Sequence, residues 1–154
     1  MNKKLQAENK TVLNVIKDLI KDNRICVLST IHRDRPYCSL MRYTCDRNCR
    51  EIYLITHRNT TKYLNLMANP NVSLLIDSRA KQAIAQIQAL TIEGRLISFA
   101  DVPGKKDIRN QFIERHPDIT AFVNHPDAEP LRIEIQSFLL LNGLEDAHHI
   151  RVGK

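Results

Sequence analysis

Apolar side chains recur along residues 5–22 at three- and four-residue spacing, at Leu5, Val12, Leu13, Ile16, Leu19 and Ile20, with lysines and acids between them. This is the pattern of an amphipathic helix, and Asp22-Asn23 is its stop. From Ile25 the period changes. Ile25–Ile31, Tyr37–Thr44 and Ile52–Thr56 are short and rich in β-branched and aromatic residues, with polar turns at His32–Pro36 and Asp46–Asn48. They predict successive strands of an antiparallel meander. Thr60–Asn69 carries Tyr63, Leu64, Leu66 and Met67 and is stopped by Pro70, which predicts a short helix. Val72–Asp77 returns to strand, and the alanines and glutamines of Ser78–Gln86 accommodate helix or loop. Ile87–Phe99 alternates as a long strand in which Gly94 predicts a bulge or bend. Pro103–His116 reads as a helix with Ile108, Phe112 and Ile113 on one side and Pro103 in the first turn. Pro117–Asn124 predicts a second short helix. Leu131–Leu141 is the last strong strand, with Leu131, Ile133, Ile135, Leu139 and Leu141 expected on one face. The tail, residues 142–154, adds a short edge strand.

The chain holds no repeat, low-complexity tract or linker, so its 154 residues are expected to form one domain, with residues 1–22 as an N-terminal helix. About six strands, mainly antiparallel and separated by helices, predict a mainly β, α+β fold: a small β-barrel decorated by helices. Composition agrees with a folded chain, since 43% of residues are hydrophobic and 26% charged. A chain of this size buries enough surface to fold without a metal or disulfide staple.

Charge narrows the partners only a little. Lys plus Arg, at 23, exceed Asp plus Glu, at 17, for a net +6. That balance admits nucleic acid, an anionic membrane or a phosphorylated ligand. The basic residues are spread rather than blocked, and four Phe, four Tyr and no Trp are few for base stacking, so nucleic acid is not the expected partner. No apolar run approaches the ~18–20 residues of a membrane span. The N-terminus, Met1-Asn-Lys-Lys-Leu-Gln-Ala-Glu8, has no apolar segment after its lysines, and a cytoplasmic protein is expected.

The segment with chemistry is Ile52-Tyr-Leu-Ile-Thr-His-Arg-Asn-Thr-Thr-Lys-Tyr-Leu-Asn-Leu66. A buried strand delivers the chain into a polar loop that opens directly into a helix. The first helical turn offers free backbone N–H groups and the positive end of the dipole. Thr60 and Thr61 add hydroxyls, and Arg58 and Lys62 add charge. Together they could hold a phosphate through charge-assisted hydrogen bonds. The alternative is a Thr60 N-cap and a solvated Lys62.

Other chemistries are poorly provided for. Cys45 and Cys49 resemble half a zinc site, but Cys26 and Cys38 are too dispersed for a second pair. In a reducing compartment a Cys45–Cys49 bridge is not expected either. His148 and His149 are adjacent, so on a strand they point to opposite faces and do not share one ion. Asp77, Glu93 and Glu134 form no recognisable acid/base pair. Glycine-rich nucleotide loops, G-x-S-x-G and H-E-x-x-H are all absent.

The order of segments resembles the flavin-binding split barrel of the pyridoxamine 5′-phosphate oxidase-like family. The matching pieces are Ile25-Cys-Val-Leu-Ser-Thr30, Arg35-Pro-Tyr-Cys-Ser-Leu-Met41, Ile52–Thr56, Thr60-Thr-Lys-Tyr-Leu-Asn-Leu66 and Asn69-Pro-Asn-Val-Ser-Leu-Leu-Ile76. Thr91-Ile-Glu-Gly-Arg-Leu96 resembles the family's next strand, and Phe112–Ile119 and Leu131–Ile135 resemble its short, stress-protein-like branch. The similarity spans roughly residues 10–145. It implies a six-stranded antiparallel split β-barrel of FMN-binding type, working as a homodimer with FMN at the interface. It also implies an oxidoreductase acting through FMN on a small-molecule redox substrate. Lys62, Thr60 and Thr61 would hold the phosphate, with Ile55 and Thr56 at the mouth of the site. Ser39, Leu40, Met41 and Arg42 would run beside the flavin, Arg42 as a second phosphate ligand. No side chain is assigned as a catalytic acid or base. Ala89, with Gln88 beside it, stands where the larger oxidases often carry a flavin-contacting glutamine. Those enzymes also grip pyridoxal phosphate through a C-terminal extension, so true pyridoxamine phosphate oxidase activity is not expected. The alternative is a non-enzymatic module of the same barrel binding haem or another cofactor, with His148 or His149 as an axial ligand.

Overall fold

The structure, a computed structural model, describes residues 3–98 and 102–153. Phe99 and Lys154, and the side chain of Leu5, lie outside the described residues. The chain opens with α1 (Lys3–Asp22), whose inward residues Ile16, Leu19 and Ile20 are buried. Its end is secured by three side chains, one of them Lys81, whose Nζ donates to the Asp22 carbonyl at 3.1 Å. The Asn23 amide donates to the Leu19 carbonyl at 2.8 Å, and the Arg115 guanidinium donates to the Lys21 and Asn23 carbonyls at 2.6 Å each. A cation at the carbonyl end of a helix satisfies orphan acceptors and complements the dipole.

Next come β1 (Ile25–His32) and β2 (Arg35–Arg42), a hairpin closed by Arg33-Asp34, with Arg33 in the left-handed region at φ 54°. A left-handed residue lets a two-residue turn follow the twist of the strands. β3 (Thr44–Cys45) and β4 (Glu51–His57) form a second hairpin, and α2 (Thr61–Ala68) follows. Then come β5 (Asn71–Asp77) and β6 (Gln88–Ile97). The ambiguous stretch between them is a turn and one 3-10 turn at Ile84–Gln86. α3 (Val102–Arg115), a 3-10 turn at Pro117–Ile119 and α4 (Thr120–Val123) lead to β7 (Ala128–Asn142) and the tail strand β8 (Asp146–Arg151).

All strand pairs are antiparallel, in the order β2–β1–β5–β6–β7–β4–β3, with β8 also on β7. Six long strands, β2–β1–β5–β6–β7–β4, make the curled sheet of a split barrel, in keeping with the expected α+β class. The expected meander holds only for β1–β2. β4 does not continue it but pairs with β7, Leu54 facing Leu131. The reason is burial: β4 buries Ile52 and Leu54 on one face and Ile55 on the other, so it needs cover on both sides. The barrel interior supplies one cover. α3, α4 and the start of β7 supply the other, through Ile108, Phe112, Val123 and Ala128. Tyr43 makes the crossing from β2. It is fully buried, and its hydroxyl donates to the Ile20 carbonyl at 2.6 Å.

The long strand β7 changes partner midway. β4 pairs with Ala128–Glu134 and β8 with Ser137–Asn142. Between them the Ile135 N–H donates to the Arg50 carbonyl at 3.0 Å, and the Val152 N–H to the Gln136 carbonyl at 2.9 Å. On its other side β7 pairs with β6, whose register slips by one at Glu93/Gly94, leaving Gln136 as the extra residue. The predicted bulge is therefore present, and Gly94 is required there. A Cβ on Gly94 would lie 2.7 Å from Ile133 Cγ2 and 2.9 Å from the Glu134 carbonyl oxygen. The slip also corrects the expected face of β7. Leu131, Ile133 and Ile135 point into the core, but after Gln136 the inward residues are Phe138 and Leu140, while Leu139 and Leu141 turn away. One inserted residue reverses a period of two.

Candidate functional site

Thr56, at the end of β4, is buried, and the chain turns through Arg58-Asn59 to Thr60, the N-cap of α2. The Thr60 hydroxyl donates to the His57 carbonyl at 2.8 Å and accepts from the Tyr63 N–H at 3.4 Å. Its remaining lone pair accepts from the Thr56 hydroxyl at 3.0 Å. One donor and two acceptors are then all used. Thr60 is thus the cap that shapes the helix entry, and its hydroxyl is not left over for a ligand. Thr61 and Lys62 are different. Their backbone N–H groups have no acceptor within the helix, and neither side chain has a hydrogen-bond or ion-pair partner among the described residues. Lys62 is half-buried and Thr61 exposed.

α2 is anchored from below. Asn65 is buried, its amide donating to the Thr30 hydroxyl of β1 at 3.1 Å and its carbonyl accepting from His32 Nδ1 at 3.2 Å. Leu66 beside it enters the main core. A buried polar bridge of this kind fixes position because breaking it leaves unsatisfied groups inside.

The other predicted site residues are spread around this point. Ile55 is buried in the second core with Phe112 and Val123, so it can meet a ligand only through its backbone. Arg58 is turned back towards the start of β7, donating to Glu129 at 3.2 Å and to the Pro126 carbonyl at 2.9 Å. Glu129 also pairs with Lys105. Ser39 is half-buried, Leu40 is 73% exposed and Met41 is buried, all on β2, which approaches β4 across the open seam of the sheet. Arg42 is held by Asp118 through contacts of 2.8 and 2.7 Å, and this pairing keeps the Asp118 carboxyl below its usual range. The structure therefore gathers Thr56, Thr60, Thr61 and Lys62 and leaves the cations Arg42 and Arg58 with carboxylate partners.

One feature of the site escaped the sequence. His57 is stacked between Phe122 and His125, with ring centroids 4.2 and 4.5 Å apart, and its Nε2 donates to the Phe122 carbonyl at 3.3 Å. Its partners lie more than sixty residues downstream, where no local period marks them. Beside α2 a cleft of about 420 Å³ is lined by Tyr63, Met67, Leu96, Lys105 and Pro130. Leu64 and Met67 on α2 are 60% and 52% exposed.

The remaining candidates are dispersed. Cys45 and Cys49 meet each other, while Cys26 is buried and Cys38 exposed, and no group of three or more metal-ligating side chains forms among the described residues. His148 and His149 lie on β8 opposite Leu140 and Leu139, and His148 Nε2 bonds Asp146 at 2.9 Å. Gln88 is spent on Asn142, at 2.9 Å. No helix among the described residues is long and apolar enough to cross a membrane.

Known proteins share this fold. The general stress protein 26 from Bacillus anthracis str. Sterne matches with a TM-score of 0.72 at 19% identity, over 92% of this chain and 98% of that one. A FAD-binding protein from Mesorhizobium loti matches with a TM-score of 0.66 at 19% identity, over 80% and 89%. A heme binding protein from Mycobacterium smegmatis gives 0.74 at 14% identity, over 88% of this chain and 56% of that one. At these identities the likeness shows the fold alone. No curated protein matches by sequence. The family described as pyridoxamine 5′-phosphate oxidase matches residues 13–139, from the buried half of α1 through the bulged strand β7. With a match across most of its length and the split-barrel topology beneath it, this chain belongs to the pyridoxamine 5′-phosphate oxidase-like family.

Proposed function

We propose that the chain binds FMN, with the flavin phosphate at the N-terminus of α2, and serves as an oxidoreductase for a small-molecule substrate. The observation that carries this reading is Lys62. It is half-buried, without a partner among the described residues, and one residue inside a capped helix whose first N–H groups are free. The residues present fit a phosphate: two backbone donors, the Thr61 hydroxyl and one ammonium all belong to the first turn of a helix, at its positive end. Bound FMN would supply the hydride or electron transfer itself. The chain's part is to hold it. Thr60 and Thr56 shape the loop, Asn65 locks α2 to β1, and β2 offers its Ser39–Arg42 backbone along the seam. Arg42 could join the phosphate only by leaving Asp118.

The same reading calls for a homodimer. β2 is an edge strand with an unpaired side and exposed Tyr37 and Leu40, and Leu64 and Met67 add apolar surface on α2. A second copy covering these groups would wall in a planar ring that one shallow barrel leaves open. Haem binding has less support, because His148 is engaged by Asp146 and His149 faces the other way.

Titration of flavin-free protein by fluorescence tests the reading. Lys62→Ala is expected to weaken FMN by about 1.5–3 kcal/mol, the range for hydrogen bonds to charged groups, while riboflavin binding hardly changes. Equal losses for both ligands, or a haem spectrum in place of a flavin one, would overturn it.

A further inference from the structure

The β3–β4 turn carries a pair of thiols that the flavin reading leaves unused. Cys45 closes β3, Cys49 precedes β4, and their Sγ atoms are 4.0 Å apart. The turn between them is held by one side chain. The Asp46 carboxylate accepts from the N–H groups of Asn48 at 3.0 Å, Arg50 at 2.6 Å and Glu51 at 2.7 Å. Cys49 itself sits at φ 53°, a left-handed conformation unusual for a residue with a Cβ. As a residue Cys49 is only 2% exposed, yet it lines a cleft of about 370 Å³ with Leu13, Lys17, Arg50, Phe138 and Val152. Three cations, Lys17, Arg50 and Arg151, thus stand in the wall of the cleft that Cys49 lines.

We propose that Cys45 and Cys49 form a reversible peroxide-reactive dithiol, with Cys49 as the attacking thiolate and Cys45 as the resolving thiol. In the first step Cys49 Sγ attacks one oxygen of a hydroperoxide. The S–O bond forms, the O–O bond breaks, and hydroxide or alkoxide leaves and is protonated from solvent. Cys49 is then a sulfenic acid. In the second step Cys45 Sγ loses its proton and attacks the Cys49 sulfur, forming the S–S bond and expelling the sulfenic oxygen as water. The two thiols lose two electrons, and the peroxide is reduced by the same two. A dithiol reductant restores the pair.

The local chemistry divides these roles. The 4.0 Å contact with the Cys45 thiol, assisted by Lys21 and Lys17 of α1, holds Cys49 below the usual thiol range against its burial and the Asp46 carboxylate. The same contact, together with burial, pushes Cys45 up. Cys26, in contrast, is pushed up to about 12 by burial and has no such partner. Thiolate character and access select which cysteine oxidises. Closing 4.0 Å to a bond of about 2.05 Å asks for side-chain rotation within a turn that Asp46 already holds. The ring so closed is small, so the bond adds little to stability and suits a transient switch.

Trypsin reads the outcome directly, because Arg47 lies between the two cysteines. The native full-length protein, treated with hydrogen peroxide and then with N-ethylmaleimide, is expected to yield Tyr43–Arg47 linked to Asn48–Arg50, two hydrogens lighter than the separate peptides. The link should appear at least about tenfold faster than oxidation of exposed Cys38, and dithiothreitol should remove it. Cys45→Ser should leave a Cys49 sulfenic acid that dimedone captures, whereas Cys49→Ser should leave the Cys45 thiol reduced. Oxidation of Cys38 ahead of the pair, or a linked peptide that forms only in urea, would overturn the proposal. The wild-type peptides give this answer even where a variant fails to fold.

Discussion

β2 and β4 are strands of nearly equal length, each with apolar residues and each following a polar turn, yet the fold treats them oppositely. β4 buries Ile52, Leu54, Ile55 and Thr56, using both faces. β2 buries only Met41, and its outer side is unpaired. Their composition already leans that way, since β4 carries Ile52, Tyr53, Ile55 and Thr56 while β2 has no β-branched residue and carries Pro36, which suits an edge. β4 runs between β7 and β3 with the barrel on one face and α3–α4 on the other, while β2 ends the sheet, its outer edge unpaired among the described residues. An exposed edge invites another chain. Place completes the separation: β4 is held inside the sheet, and β2 is the edge on which the proposed homodimer would assemble.

The widest contrast is expected from truncating each strand. Leu54→Ala opens a cavity in the main core and should cost about 2–5 kcal/mol in urea unfolding. Leu40→Asp should leave the unfolding of the single chain within about 0.5 kcal/mol of wild type, as an exposed site does. Yet it should move the sedimentation mass from twice 17.8 kDa to 17.8 kDa. A stable wild-type monomer would break the comparison, for β2 would then be an edge and nothing more.

A smaller effect is expected at the bulge that allows β7 to serve β4 and β8 in turn. Gly94→Ala drives a methyl against Ile133 and the Glu134 carbonyl. Overpacking of this kind should destabilise by about 1–3 kcal/mol, read as a lower urea midpoint. Smaller again is the cap at the end of β4. Thr60→Ala removes a hydroxyl engaged three ways and should cost about 0.5–2 kcal/mol. FMN affinity should fall with it through the loop rather than through the phosphate, so riboflavin should weaken as well.

The smallest effect concerns the anchoring of the chain as it leaves β2. His116 is buried, its Nε2 donating to the Tyr43 carbonyl at 2.9 Å, and its Nδ1 has no partner. Desolvation, with Arg42 and Arg115 nearby, holds its pKa below the ordinary value of about 6.5. The unfolded chain therefore binds a proton more readily, and stability should fall as pH drops from above 6.5 towards the folded value. His116→Gln should shrink the difference between urea midpoints at pH 7.5 and pH 5.5. The depressed carboxyls of Glu51, held by Arg132, and Asp118 act in a separate, lower window, losing their contribution as pH falls through their folded values.

What the sequence by itself determined was local. The apolar period marked α1, the strands and α2. Thr60 marked the helix entry, Pro70 its exit, and Gly94 the bulge. These follow from dihedral preferences and from the burial of one face, which neighbouring residues carry among themselves. Tertiary structure decided the partners. That β4 pairs with β7, that Arg42 meets Asp118 and Arg58 meets Glu129, and that His57 stacks on Phe122 all join residues more than sixty positions apart. Such distances leave no trace in a local period. The face of β7 shows the boundary most sharply. Alternation alone puts Leu139 and Leu141 with Leu131, but Gln136, pressed out opposite Gly94, sends Phe138 and Leu140 inward instead. A period of two is a local property, and its phase belongs to the partner strand.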